Sequence, residues 1–217
     1  MTLGLMPDRA LLNDVNPHLV NFYRWLRRGL RTTLFMENTE STYYRHRERF
    51  NAILANGSAR SKETAALFYY LNRTGYNGLC RFNSTGGFNV PFGRYASINY
   101  TSDFTHYRRP FGGWEFTSKD FEKLPILPDD FVYADPPYDV EFTSYAKEGF
   151  SWDDQVRTAE WLSMHKGPVV LSNQATKRIV ALYKKLGFRL MKLDAPRRIS
   201  CTGDRTPARE VLAIKNL

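Results

Sequence analysis

An open α/β fold with one large insertion is the class this sequence predicts, on three observations. Short apolar runs that suit buried parallel strands end at acidic residues, Ala10–Leu11–Leu12 before Asn13 and Asp14, and Phe131–Val132–Tyr133–Ala134 before Asp135. Amphipathic helical spacing follows such strands, so strand, acidic residue and helix form a βα unit. Between the two strand regions, from about Met36 to Gly112, the pattern changes, and that stretch reads as an insertion.

The elements follow in order. Asn16 can cap a helix with Pro17 at its first position. Leu19, Phe22, Tyr23, Leu26 and Leu30 keep helical spacing, and Arg24, Arg27, Arg28 and Arg31 interrupt them on the other face. Glu40 to Leu54 reads as a strongly charged helix. Ser61 to Leu71 reads as a second, with Ala66, Leu67, Tyr70 and Leu71 as its apolar side. From Asn72 to Tyr100, Gly75, Gly78, Gly86, Gly87 and Gly93 punctuate an Asn- and aromatic-rich stretch, which predicts hairpins and exposed loops rather than core. The α/β pattern resumes at Trp114. Ser151 with Asp154 resembles a capping box opening a helix that runs to about His165. Val169–Val170–Leu171 is a further buried strand, Ala175 to Leu186 a helix closed by Gly187, and Phe188 to Leu193 and Glu210 to Ile214 two final strands. There is no internal repeat and no low-complexity segment.

With 217 residues the chain can form one well-cored domain, or one domain with a sizeable insertion. Lys and Arg number 31 against 22 Asp and Glu, a formal charge of +9. That balance favours a polyanionic partner, nucleic acid first and an anionic membrane second; a merely soluble basic protein is the alternative. Cys80 and Cys201 lie far apart in no C-x-x-C spacing, and His18, His46, His106 and His165 are scattered, so no metal site and no disulfide framework is expected. No apolar run reaches the about 18 residues of a membrane span, and the N-terminus lacks a signal-peptide pattern; a cytoplasmic protein, with no membrane partner, is expected.

Asp135–Pro136–Pro137–Tyr138 is the stretch richest in chemistry. Following a strand, it falls at the carboxyl edge of the sheet, where open α/β folds bind ligands. The lone pair of an adenine amino group is delocalised into the ring. Two acceptors aimed at its two N–H bonds favour a tetrahedral nitrogen with a localised lone pair. The Asp135 carboxylate supplies one acceptor and the Pro136 carbonyl the other, and prolines stiffen the turn so that both are aimed in advance. Tyr138 offers a face on which an extruded base can stack. No nucleophilic cysteine is needed. The plain alternative is a strand-to-turn junction that happens to carry two prolines.

Longer runs carry a resemblance. Leu12–Asn13–Asp14–Val15–Asn16, Leu71–Asn72–Arg73–Thr74–Gly75–Tyr76–Asn77–Gly78–Leu79–Cys80–Arg81, Phe88–Asn89–Val90–Pro91–Phe92–Gly93–Arg94–Tyr95 and Leu171–Ser172–Asn173 flank the tetrapeptide over nearly the whole chain. Together they resemble the Dam-type DNA adenine methyltransferases of bacteria and phages, which act on GATC. The order of ribose-binding strand, recognition insertion and catalytic motif is that of the α class of amino-methyltransferases. Cytosine enzymes usually place Ser where Asp135 stands. The resemblance implies a Rossmann-like, S-adenosyl-L-methionine-dependent methyltransferase sheet with an inserted, mostly helical DNA-recognition domain carrying a β-hairpin. Residues 1–35 and 113–217 would form the catalytic domain and 36–112 the recognition domain. The partner would be double-stranded DNA, with no metal, in a bacterial or phage-infected cell; a monomer is the simplest state.

The resemblance also assigns residues. Asp135, Pro136, Pro137 and Tyr138 would be catalytic. Asp14 would take the cofactor ribose, and Asp120 and Phe121 the cofactor adenine, with Asp135 at the reacting end. Arg81 on a hairpin suits bidentate contact to guanine O6 and N7, while Leu79 and Pro91 suit thymine methyls. Tyr76 would fill the gap left by a flipped base, Asn77 would hold a phosphate, and Asn89 and Arg94 would touch the same DNA. Each has a plainer alternative: a basic loop contacting phosphates only, a capping Asp at position 14, an exposed charge beside a core aromatic at 120 and 121. Arg197, Arg198, Arg205 and Arg209 line a late loop as phosphate contacts or as a solvated turn.

The family normally opens with a lysine-bearing motif and a strand ending in a Phe-Cys-Gly-Gly type turn that admits the methionine part of the cofactor. This chain opens at Met1–Thr2–Leu3–Gly4–Leu5, which resembles the tail of the following helix. The expected sheet is therefore N-terminally incomplete, with DNA binding kept and cofactor binding weakened. A non-catalytic DNA-binding remnant is the second functional hypothesis, and methylation of RNA or of a protein glutamine the third.

Overall fold

The structure is a computed structural model that describes residues 2–139, 150–195 and 208–217. The chain is of mixed α/β type and divides into two compact units, residues 1–120 and 121–217.

The first unit opens with a single turn of helix α1 (Thr2–Leu5), strand β1 (Ala10–Asn13) and helix α2 (Pro17–Arg27). The Asn16 side chain accepts from the backbone N–H groups of His18 and Leu19, and Pro17 stands at the first helical position, as the sequence requires. Helices α3 (Glu40–Ala55) and α4 (Lys62–Thr74) follow, and strand β2 (Trp114–Thr117) returns to pair parallel with β1, from Ala10 opposite Trp114 to Asn13 opposite Thr117. The outward carbonyls of β2 are not left to water. Arg27 donates to Trp114 O at 2.7 Å, and Arg24 donates to Phe116 O through Nε at 3.1 Å and a terminal nitrogen at 2.7 Å. Two arginines of the α2 basic face thus cover a sheet edge that would otherwise template another strand.

Two cores hold this unit. Val20, Leu26, Leu30, Phe104, Phe111, Trp114 and Phe116 pack around α2 and β2. Tyr43, Phe50, Leu67, Tyr70 and Leu71 of α3 and α4 pack with Phe88 and Val90. The last pair corrects the expectation that residues 72–100 avoid the core: Phe88 is 1% and Val90 0% exposed. Beyond the end of α4 at Thr74 the stretch holds only a short 3-10 turn, Tyr76–Gly78, as regular helix, and so lacks an apolar period. Among the described residues it makes only single bridges, Gly75 to Phe92 and Phe82 to Phe88, in place of a hairpin ladder. Side chains of α3 replace the missing strand partners. Asn51 accepts from Phe88 N–H at 2.8 Å and donates to Phe88 O at 3.1 Å, and Tyr43 and Arg47 donate to Val90 O at 2.8 and 3.1 Å. At the loop's base Gly93 N–H donates to Thr74 O at 2.9 Å, an approach with no room for a Cβ.

The second unit contains strand β3 (Val132–Ala134), helix α5 (Trp152–Ser163), strand β4 (Val169–Gln174), helix α6 (Lys177–Lys185), and strands β5 (Arg189–Ala195) and β6 (Ala208–Lys215). The sheet order is β3-β4-β6-β5; β3 and β4 are parallel, and β6 runs antiparallel to both its neighbours. The capping box forms, with Ser151 and Asp154 bonding reciprocally, and Gly187 closes α6 at a φ of +79°. Ala159, Leu162, Val169, Leu171, Ile179, Tyr183, Phe188, Val211 and Ala213 form its core. Arg197, Arg198, Arg205 and Cys201 lie outside the described residues. Arg209 is exposed on β6, 3.9 Å from Asp194. No helix among the described residues is long and apolar enough to cross a membrane.

Candidate functional site

Asp135 leaves β3 directly into the two prolines, so its carboxylate stands at the carboxyl end of an edge strand. It is exposed, but one oxygen is engaged: the buried Ser172 hydroxyl lies 2.5 Å from Asp135 Oδ1 and 3.2 Å from Ala134 O. With one proton to give, Ser172 donates along the shorter contact, and the charged acceptor strengthens that bond. Pro137 O accepts from Gln155 Nε2 at 2.7 Å. Pro136 O takes no hydrogen bond among the described residues. Among the described residues the turn thus engages the Pro137 carbonyl and leaves the carbonyl before it, beside Asp135, as an open acceptor.

Tyr138 is half-buried, and its hydroxyl reaches Glu210 at 3.4 Å. Burial, then the nearby Asp135 charge, push its phenol up to about 12. It stays neutral, a dipolar ring rather than a charge. Behind it, Asp139 is buried and bonded to Thr176 at 2.7 Å and to Arg178 Nε at 2.8 Å, with a second Arg178 contact to Oδ1. Burial alone would raise the Asp139 carboxyl, but the Arg178 and Thr176 hydrogen bonds and the Arg178 charge outweigh it and hold it below the ordinary value.

In the first unit, Asp14 follows β1. Its Oδ1 accepts from Asn16 N–H at 2.7 Å, while Asn16 itself caps α2. Asp14 is exposed, and its second oxygen has no partner among the described residues. Asn13 ties this strand end to the loop after β2, donating to Lys119 O at 2.9 Å and accepting from Thr117 Oγ1 and Lys119 N–H at 2.9 and 3.0 Å. Asp120 closes that loop, partly buried and engaged. In the second unit Phe121 carries the Arg157 guanidinium 4.3 Å above its ring and meets Trp161 at 5.3 Å.

The loop residues gather on one irregular segment above α4. Tyr76 is 44% exposed, and its N–H donates to Pro91 O at 2.9 Å. Asn77 and Arg94 both hold left-handed backbone, at φ +52° and +50°, uncommon for residues with a side chain and found where a surrounding structure imposes it. Leu79 packs against the α3–α4 core, while Pro91 is exposed. Arg81 is exposed and tethered: Nε donates to Asn89 Oδ1 at 2.8 Å and a terminal nitrogen to Asn89 O at 3.3 Å, while Asn89 N–H returns to Arg81 O at 3.1 Å. Arg94 is exposed, 3.9 Å from Glu40.

Two contacts link the loop to the residues that follow β1. Cys80, between Leu79 and Arg81, accepts from Asn16 Nδ2 at 3.1 Å, and His18 stacks on Phe82 at 4.9 Å. Cys80 keeps an exposed surface, yet crowding around its sulfur pushes the thiol up; the Asn16 hydrogen bond opposes this and the Asp14 charge adds to it. A thiol held protonated is a poor nucleophile. Sequence reasoning did not single out Ser172, Gln155, Cys80 or Asn16 for these contacts. The signal available was Ser172–Asn173, two polar residues inside an otherwise apolar strand pattern.

Comparison with known proteins narrows the hypotheses. The profile of the D12 class N6 adenine-specific DNA methyltransferases matches residues 2–199. The chain belongs to that family. Its activity is adenine-specific methylation of DNA. It is 33% identical to the retron Ec67 DNA adenine methylase of Escherichia coli, over 94% of this chain and 75% of that protein. It is 33% identical to a DNA adenine methylase of Vibrio cholerae (95% and 80%) and 31% identical to one of Haemophilus influenzae (95% and 78%). Methylation of RNA or of a protein glutamine falls away with this assignment. The enzyme's Asp135–Tyr138 turn and its Tyr76–Arg94 loop both lie within the matched span.

Proposed function

We propose that this methyltransferase acts on the N6 amino group of adenine in GATC of double-stranded DNA, with S-adenosyl-L-methionine as donor. Residues 36–112 read the DNA, and residues 1–35 and 113–217 carry the chemistry. The observation that supports this best is the pairing at the turn: the Asp135 carboxylate and the open Pro136 carbonyl are acceptors on consecutive residues, and adenine N6 presents two N–H donors. Both N–H groups engaged, the nitrogen lone pair localises, N6 gains the methyl and releases one proton. Tyr138 stacks the extruded base. Ser172 keeps one Asp135 oxygen in place so that the other can face the amino group.

Of the residues present, Asp14 suits the ribose of the donor. The Asp14 oxygen that has no partner among the described residues stands at a strand end as an acceptor for a ribose hydroxyl, and its orientation is set by the bond from Asn16 N–H to the other oxygen. When bound, S-adenosyl-L-methionine supplies an electrophilic methyl on a sulfonium. On the DNA side, Arg81 presents a guanidinium held by Asn89 to guanine, with Leu79 and Pro91 for thymine methyls, Tyr76 for the vacated stack, and Asn77 and Arg94 for the flanking backbone. Of the +9 formal charge, residues 1–120 hold most: 16 lysines and arginines against nine carboxylates.

The test is methyl transfer to a duplex containing GATC and to single-base variants, with Asp135→Ala beside the unaltered chain. Asp135→Ala is expected to abolish transfer while DNA binding persists. Near-normal transfer by Asp135→Ala would sink the catalytic reading; equal transfer to every variant duplex would sink the GATC reading.

A further inference from the structure

We propose that the buried amide pair Gln155–Asn173 is a positioning device for Tyr138, fixing both peptide groups that flank it and so the plane on which the extruded adenine stacks. This deepens the reading of Asp135–Tyr138 as the reaction site and rests on it. Gln155 Nε2 donates to Pro137 O, the carbonyl before Tyr138, at 2.7 Å. Asn173 Oδ1 accepts from Asp139 N–H, the amide after Tyr138, at 2.9 Å. The two side chains are joined, Asn173 Nδ2 to Gln155 Oε1 at 2.9 Å, and Asn173 Nδ2 also reaches Tyr183 Oη at 3.0 Å. Gln155 is 3% exposed, Asn173 0% and Tyr183 1%.

The backbone makes such a clamp effective. Proline locks φ at 136 and 137, so the direction of the chain into Tyr138 turns mainly on ψ of the two prolines. Anchoring Pro137 O fixes the second of these. Anchoring Asp139 N–H fixes the far side of Tyr138. The same anchor leaves Pro136 O outside the network, as an acceptor for the amino group. Gln155 is itself placed by the capping box of α5, since its N–H bonds Ser151 O at 3.0 Å in the helix's first turn. Neither amide touches the base; both act through Tyr138 and the prolines.

The experiment compares Gln155→Met, Gln155→Glu and Tyr138→Ala, singly and combined, in the full chain. The readouts are kcat, KM for duplex DNA, melting temperature, and fluorescence of 2-aminopurine placed at the target base. Gln155→Met keeps the side chain's length and loses the donor, while Asn173 keeps its bond to Tyr183. The expected result is a kcat lower by about 10²-fold, the scale on which a displacement of ~1 Å acts, with KM for DNA nearly unchanged. The quenching of 2-aminopurine by the Tyr138 ring should fall in parallel. In the Tyr138→Ala background the same change should cost no more than about twofold, because its route of action is already gone. Gln155→Glu should recover kcat relative to Gln155→Met as pH falls, since a buried carboxyl titrates high and, once protonated, can donate to Pro137 O. Equal losses in the two backgrounds would overturn the proposal, as would wild-type kcat and quenching in Gln155→Met. Should Gln155→Met melt early, the pH dependence of Gln155→Glu, which keeps its acceptor for Asn173, decides: no recovery in acid refutes the clamp. The underlying catalytic reading fails on a different result, turnover by Asp135→Ala.

Discussion

Replacing Asn89 by alanine should relax base discrimination at the guanine of GATC without touching a base contact of its own. The structure supplies the magnitude. Arg81 is exposed, and its guanidinium is held by two bonds to Asn89, at 2.8 Å from Nε to the side chain and 3.3 Å from a terminal nitrogen to the backbone. A good bidentate arginine–guanine pair contributes ~1–3 kcal/mol of discrimination, so Arg81→Ala should narrow the ratio of kcat/KM between GATC and a guanine-substituted duplex by about five- to 150-fold. Asn89→Ala keeps the arginine, the backbone bond from position 89 to Arg81 O and the 3.3 Å bond to the carbonyl of position 89, but removes the 2.8 Å bond at Nε and so loosens the side chain. Of the ~2 kcal/mol of arginine rotamer entropy, roughly half should then be lost on binding instead of beforehand, a narrowing of about fivefold. In the double variant the two effects should not add in full, because the Asn89 tether acts through Arg81. Fully additive losses would refute the tether, and an equal fall on every sequence would make Arg81 a phosphate contact.

Further outcomes follow from the same contacts. Ser172→Ala removes the 2.5 Å bond to Asp135 and should lower kcat by about ten- to 150-fold with DNA affinity retained, on the ~1.5–3 kcal/mol of a hydrogen bond to a charged group; Ser172→Thr should restore it, and an unchanged kcat in Ser172→Ala counts against the role. Asp139→Asn weakens the bonds to Arg178 and Thr176 and should destabilise the fold by about 1–2 kcal/mol, discounted because Arg178 is half exposed. Since the folded Asp139 carboxyl lies below its ordinary value, its contribution is present above the ordinary aspartate range and disappears as pH falls through the folded value; the melting difference between wild type and Asp139→Asn should therefore shrink only in strong acid, and a difference that shrinks near neutrality contradicts this. Gly93→Ala would set a Cβ 2.7 Å from Thr74 O and 3.0 Å from Gly75 O, so thermal melting should show a loss of ~1–3 kcal/mol and specific DNA binding should weaken; a neutral substitution would show that the loop base yields freely.

What the amino-acid sequence by itself determined was local. Asn16 with Pro17, Ser151 with Asp154, and Gly187 place helix ends because each cap joins residues at most a few positions apart. The apolar runs before Asp14 and Asp135 place those carboxylates at strand ends for the same reason, and two consecutive prolines stiffen a turn wherever they stand. The long matching runs around Tyr76–Arg94 and Asp135–Tyr138 were enough to indicate the family.

Tertiary structure decided the rest, because a hydrogen bond or a buried ring depends on distance in space and carries no period along the chain. Phe88 and Val90 enter the core only because Asn51, Tyr43 and Arg47 of α3 bond their backbone, partners 37 to 47 residues away. Nothing in the helical spacing of Arg24 and Arg27 shows that they cover carbonyls of β2, 92 and 87 residues on. The reversal of β6 between β4 and β5, the meeting of Cys80 with Asn16, and the anchoring of Pro137 by Gln155 and of Asp139 by Asn173 are of the same kind. A polar side chain announces that it needs a partner; which partner it finds is settled when packing brings two distant stretches of chain to within about 3 Å and excludes the water that would otherwise serve.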